Sequence, residues 1–156
     1  DWTRSMCVRL AAADICGYVR ALADRPERKD EYVVDAVLSA MARDPDASAR
    51  SVMESLTADF TAASVHHLIQ VLEALARASK SPTKLANDPL LPHLRRMVSS
   101  RDEQLGVAAL AVATKWGFES ALRAELDALG ERLERRLVDG AQPLDGRLQA
   151  LEALLS

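Results

Sequence analysis

Aromatic residues are scarce in this sequence, where Trp, Tyr and Phe together make up 4% of the 156 residues. Val, Ile and the aromatic residues favour strands, whereas Ala and Leu, which dominate here, favour helices. The chain also lacks an alternating β-branched run and an Asn-Gly hairpin turn. The composition therefore predicts an all-helical fold.

An excess of charge of one sign is also missing, because 20 Lys and Arg residues oppose 23 Asp and Glu residues, for a net charge of −3. Nucleic-acid-binding domains are usually basic, so the charge balance argues against nucleic acid as a partner of this domain. No run of about 18 apolar residues is present, so no membrane-spanning helix is predicted. The chain starts at Asp1 without a signal peptide, which indicates an excised domain.

Cysteine is rare, with Cys7 and Cys16 as its two occurrences. Their spacing matches no metal-binding pattern, and one helix would not bring the two thiols together. We therefore expect buried free thiols and an intracellular, reducing compartment.

Motifs of catalysis and of cofactor binding are missing as well. The sequence has no HExxH helix, no GxSxG turn and no Gly-rich phosphate loop. His66 and His67 are adjacent, so they point to different sides of a helix, and His93 belongs to another helix. We predict a non-enzymatic domain with no catalytic residue, no metal site and no cofactor.

What the sequence does contain is apolar residues at helical spacing along most of its length. They predict about seven to eight helices joined by short connections. The clearest stripe consists of Val65, Leu68, Ile69, Leu72 and Leu75. The expected helices cover residues 2–24, 31–43, 45–59, 62–78, 88–98, 103–116 and 122–137, and two leucine stripes around a turn at Asp139-Gly140 predict a C-terminal helical hairpin.

Local signals mark several helix ends. Asp44 before Pro45 predicts an N-cap followed by the first helical turn. Ser100 and Glu103 have the spacing of a capping box, in which each side chain bonds the other residue's free amide. Gly117 can close its helix in the left-handed conformation.

Two aromatic residues carry structural or functional predictions. Trp116 lies in register with Ala109 and Val112, so we expect it in the core. Phe60 follows the helix over residues 45–59 and has two interpretations: a core or staple residue, or an exposed apolar anchor in a peptide-binding groove.

The central stretch contains a series of short motifs: Leu72-Glu-Ala-Leu75, a turn near Pro82, Leu94-Arg95-Arg96, and Ala109-x-x-Val112-x-x-x-Trp116. These motifs resemble the N-terminal domain of transcription elongation factor IIS, the LW domain or TND. The most similar variant is the integrase-binding domain of LEDGF-type chromatin proteins, along which residues 46–118 can be aligned.

The resemblance implies a compact, right-handed, HEAT-like helical bundle. We expect residues 1–156 to form a single domain, with a TND-like core at 46–118, an N-terminal helical extension at 1–45 and the C-terminal helical hairpin at 119–156. It also implies a nuclear docking module that binds short, disordered, acidic and aromatic motifs of transcription elongation or chromatin factors.

By position, the resemblance assigns partner binding to two interhelical loops. The first loop is Phe60 and Thr61, and the second is Ser100, Arg101 and Asp102. The chromatin proteins place an aromatic and an aliphatic residue in the second loop, so this chain is expected to bind a different motif. Nearby basic residues, Arg95 and Arg96 together with Arg101, could steer acidic segments toward the loops.

An armadillo- or HEAT-type solenoid is the alternative. Residues 88–118 can be interpreted as one HEAT unit, with one helix on Leu90, Leu91 and Leu94 and another on Ala108, Ala109 and Leu110. No second unit with the same residues is visible in the sequence. A solenoid scaffold would bind a protein partner along its concave face rather than at loop tips.

Overall fold

The computed structural model describes residues 2–23, 32–56, 65–83 and 88–139, together with 143, 145, 147, 148, 150 and 151. Within these residues the fold is entirely helical, which confirms the predicted fold class and the number of helices. Eight α-helices and one 3₁₀ turn, Asp88–Leu90, follow in chain order. The helices are α1 (Trp2–Ala13), α2 (Ile15–Ala23), α3 (Val33–Arg43), α4 (Pro45–Leu56), α5 (Val65–Arg77), α6 (Leu91–Val98), α7 (Glu103–Trp116) and α8 (Arg123–Val138).

The helices pack in two rows. In the first row α1 packs on α3, α3 on α5, and α5 on α7; in the second row α2 packs on α4, α4 on α6, and α6 on α8. Helices that follow each other in the chain, such as α3 and α4 or α7 and α8, connect the two rows. Contact mainly between neighbouring units is typical of α-solenoids.

One core joins all eight helices. Leu, Ala and Val make up most of it, and the predicted stripe on α5 contributes the buried Leu68, Leu72 and Leu75, with Val65 and Ile69 half-buried beside them. Burial of side chains of this size stabilises the fold by about 1.5–3 kcal/mol each. With so few aromatic residues, this aliphatic core has to provide most of the stability.

The first predicted helix is interrupted. Instead of one helix over residues 2–24, the chain forms α1 and α2 with Asp14 between them. The Asp14 carboxylate accepts a hydrogen bond from the Gly17 N–H at 2.9 Å, so it caps the N-terminus of α2. The prediction of one helix is wrong because this side chain competes with the backbone for the amides of the next turn.

The start of α4 and the end of α7 agree with the sequence signals. Asp44 accepts a hydrogen bond from the Ala47 N–H at 3.0 Å, and α4 begins at the following Pro45. Gly117 has a φ of 76°, and the Phe118 N–H donates to the Ala113 carbonyl at 2.8 Å. This is a Schellman ending, and the buried Phe118 provides its apolar contact.

The C-terminal part is also helical where it is described. α8 follows the predicted leucine stripe, with Leu129 and Leu133 buried. Beyond it, residues 145, 147, 148, 150 and 151 are helical. The Arg147 Nε donates to the Leu137 carbonyl at 2.9 Å, which joins this segment to the end of α8. Gly140 of the predicted turn lies outside the described residues.

The two cysteines are free thiols, as predicted, but they are not both buried. Cys16 is half-buried between α2 and α4, where the Ser55 hydroxyl lies 3.1 Å from its Sγ. Cys7 is exposed. The expectation of burial is wrong for Cys7, because it and the buried Ala12 lie on different faces of α1, and Cys16 is buried only in part.

Candidate docking surface

The second predicted loop connects α6 to α7. Ser100 is half-buried there, whereas Arg101 and Asp102 are exposed. Phe60 and Thr61 of the first predicted loop lie outside the described residues. The described part of the candidate surface therefore consists of the second loop and the helices around it.

Asp102, rather than Ser100, is the N-cap of α7. Its Oδ1 accepts a hydrogen bond from the Leu105 N–H at 3.0 Å. The Ser100 hydroxyl accepts from the Asp102 N–H at 3.1 Å, and Glu103 forms an ion pair with Arg136 of α8. The predicted capping box is therefore wrong, because Asp102, directly before the helix, is the cap and Glu103 is paired with a residue of another helix.

Removing this cap should have a measurable cost. We expect Asp102→Ala to lower the free energy of unfolding by about 1 kcal/mol, since the Leu105 amide loses its acceptor. Asp102→Asn keeps a capping oxygen and should stay close to the wild type. Urea denaturation followed by circular dichroism measures both, and equal midpoints for the two variants would contradict the assignment of Asp102 as the cap.

The loop is held in place by Arg132 of α8. One guanidinium nitrogen donates to the Ser100 carbonyl at 2.7 Å and the other to the Val98 carbonyl at 3.2 Å. These carbonyls belong to the end of α6 and the loop after it, where a cation is favourable because helix C-terminal carbonyls lack intrahelical partners. Arg132 and the Asp102 cap thus fix the loop from both sides.

Arg101 differs from its neighbours in the loop. Its side chain is exposed and forms no hydrogen bond or ion pair with any described residue. A guanidinium in this position can form two parallel hydrogen bonds with a carboxylate. The arrangement therefore presents an exposed guanidinium on a fixed turn, without a partner among the described residues.

The two other arginines expected near the loop have different environments. Arg95 forms an ion pair with Glu125 at 2.7 Å and donates to the Ala121 carbonyl at 3.1 Å, so it connects α6 to α8. Arg96 is exposed and has no ion pair among the described residues. Of the pair, Arg96 is the side chain available to attract an acidic segment.

A second surface feature, which the sequence did not predict, is a cleft between α1 and α3. Its volume is about 340 Å³, and its lining residues are Arg4, Ser5, Val8, Arg9, Asp35 and Ser39. Arg4 crosses the cleft to Asp35, with 2.7 Å between Nη2 and Oδ2. The described lining has no His or Cys and no nucleophile paired with a base, so it offers charge and hydroxyl groups for binding.

Comparisons with protein-family models, with curated proteins and with solved structures gave no match for this chain. Across the described ranges, no three His, Cys, Asp or Glu side chains are grouped so as to hold a metal ion. None of the helices in that part of the chain has the length and apolar character needed to cross a bilayer. The TND-like character of residues 46–118 stays a prediction from the motifs quoted above.

Proposed function

We propose that this chain is a non-enzymatic protein-docking domain. In this proposal, its interhelical loops bind short, disordered, acidic and aromatic segments of transcription elongation or chromatin factors. The observation that carries the proposal is the fixed backbone of the second loop. The hydrogen bonds of Arg132 and of the Asp102 cap hold this backbone around the exposed Arg101. A fixed loop lowers the entropy that is lost on binding.

The side chains of the loop have separate roles in this proposal. Arg101 binds a carboxylate of the ligand, and the exposed Arg96 attracts further acidic residues. Ser100 and Asp102 each form a hydrogen bond within the loop, so they shape the surface that the ligand contacts. An aromatic ring of the ligand packs on Phe60, which would contribute about 1.5–3 kcal/mol if the ring is fully covered.

The experiment is an NMR chemical-shift titration with acidic, Phe-containing peptides. We expect shifts at residues 99–102 and 60–61, with an affinity on the order of micromolar because a disordered ligand loses chain entropy as it docks. Arg101→Glu should weaken binding roughly tenfold or more, since a charge-assisted hydrogen bond is lost and a like charge replaces it.

Arg20→Glu is the matched control. Arg20 is exposed on α2, and its substitution changes the charge by the same amount at a position away from the loop. It should bind as the wild type does. Phe60→Ala should abolish binding while the helical circular-dichroism signal stays intact. Equal affinities for Arg101→Glu and Arg20→Glu would overturn the assignment of the loop.

A solenoid scaffold is the second candidate, and the stacking of the helices in two rows supports it. Such a scaffold binds its partner along successive helices of one row. The same titration distinguishes the two functions. Chemical-shift changes along the successive helices of either row would indicate a scaffold. Changes confined to the loops would indicate loop docking.

A further inference from the structure

The large apolar side chains that remain exposed lie at the two ends of the helix stack. In the described part of the chain these are Met6 (41% exposed) and Leu10 (66%) on α1, Val138 (76%) at the end of α8, and Leu148 (47%) and Leu151 (38%) in the segment after it. Among the described residues of α2–α7 no large apolar side chain is exposed to this extent. Stacked helical units need a polar outer face at their ends to stay soluble, so both ends have surfaces that a further unit could cover.

The α1 end combines apolar side chains with positive charge. Met6 and Leu10 are four residues apart and share one face of the helix. Arg9 is exposed at the edge of this face and forms no ion pair with a described residue, whereas Arg4 is bound to Asp35. The sequence of α1 contains no acidic residue.

The α8 end combines apolar side chains with negative charge. Glu131, Glu134 and Val138 are spaced as i, i+3 and i+7, and all three are exposed. Neither glutamate has an ion pair in the described structure. Arg135 on the same helix turns its Nε onto the Glu131 carbonyl at 3.1 Å. The hydrogen bond from Arg147 to the Leu137 carbonyl brings the segment with Leu148 to this end.

We propose that the α1 end of one copy of this chain docks on the α8 end of a second copy. Met6 and Leu10 pack on the apolar side chains around Val138, and Arg9 faces the carboxylates of Glu131 and Glu134. Burial of the apolar residues drives the association, and the charges set its orientation. The inference does not depend on the docking function, because none of these residues belongs to the loops assigned to peptide binding.

The charges also select the geometry of assembly. Two α1 ends facing each other would oppose Arg9 with a second Arg9, and two α8 ends would oppose their glutamates. A symmetric dimer is therefore disfavoured relative to contact between unlike ends. Contact between unlike ends leaves a free end at each side of the assembly. Further copies can therefore add as the concentration rises, unless the first and last copies meet and close a ring.

Sedimentation equilibrium and sedimentation velocity of the whole chain at low ionic strength test this inference. Over about a hundredfold range of concentration, the weight-average mass of the wild type should rise beyond that of a dimer, as mass action requires. Arg9→Glu and Glu134→Arg should each weaken association roughly tenfold or more. Both positions are exposed on helices, so the helical signal and the unfolding midpoint should stay near those of the wild type.

Mixing the two variants is the decisive measurement. In an equimolar mixture of Arg9→Glu and Glu134→Arg, the unchanged α1 end of Glu134→Arg meets the unchanged α8 end of Arg9→Glu. This contact has the wild-type charges, so molecules of the two variants should associate with each other at the wild-type affinity. Arg50→Glu, at an exposed position on α4, which is not an end helix of its row, should associate as the wild type does.

Three results would overturn the proposal. The first is a wild-type chain that stays monomeric at every concentration. The second is association that stops at a dimer or does not return in the mixture. The third is a monomeric wild type that binds vesicles of anionic lipid and loses this binding in Arg9→Glu, which would assign the α1 face to a membrane surface.

Discussion

Trp116→Ala is expected to lower the free energy of unfolding by about 3–5 kcal/mol. Trp116 is 6% exposed at the end of α7, directly before the Schellman ending that turns the chain toward α8. Its truncation removes the largest side chain of the described core and leaves a cavity that the surrounding helices can fill only in part. The expected loss is a large fraction of the stability of a typical domain.

Urea denaturation followed by far-ultraviolet circular dichroism measures this loss without relying on the fluorescence of the residue removed. Lys115→Ala is the matched control, because Lys115 is the exposed neighbour on the same helical turn and its replacement should change stability by no more than about 0.5 kcal/mol. If the two variants unfold at the same urea concentration, Trp116 does not act as a core residue.

Gly106→Leu is expected to cost about 1–3 kcal/mol or more, because a larger side chain forces α8 away from α7. Gly106 is buried, and a Cβ at this position would lie 3.2 Å from Leu129 Cδ1 and 3.3 Å from the Val98 carbonyl oxygen. The Leu129 side chain can move, but the Val98 carbonyl belongs to α6 and accepts a hydrogen bond from Arg132. The extra atoms therefore meet fixed backbone.

Gly106→Ala is the control for this prediction. Alanine favours a helix over glycine by about 1 kcal/mol, which offsets the tight contact of its single methyl group, so its net effect should stay within about 1 kcal/mol. Thermal unfolding of the two variants beside the wild type measures the difference. A leucine variant as stable as the alanine variant would show that α7 and α8 can separate at this point without cost.

Local structure, which depends on residues adjacent in the chain, could be predicted in part from the sequence. Asp44 with Pro45 and Gly117 indicated a helix start and a helix end, since their backbone conformations are set by local chemistry. The break between α1 and α2 at Asp14 was not predicted, because apolar residues continue at helical spacing on both sides of it. Periodicity alone does not reveal a side chain that competes for a backbone amide. At the start of α7, Ser100 and Asp102 are both good capping residues, and periodicity could not distinguish them.

The candidate site depends on contacts between residues far apart in the chain. Arg132 forms a hydrogen bond with a loop about thirty residues before it, and no local sequence pattern predicts such a contact. Arg95 and Arg96 look alike in the sequence, and both are exposed, yet Arg95 forms an ion pair with Glu125 and Arg96 forms none with a described residue. The stacking of helices in two rows was part of the solenoid alternative, but the sequence could not demonstrate it, because the units do not repeat the same residues.

A helix in the middle of the stack and a helix at its end should differ in how readily they open. α5 is packed between α3 and α7, whereas the extensive contacts of α1 are with α2 and α3. Detaching α1 breaks few of the other contacts, but opening α5 separates the two halves of the first row. Amide hydrogens of α5 are therefore expected to exchange only through near-global unfolding, while those of α1 exchange through fraying of a single end unit.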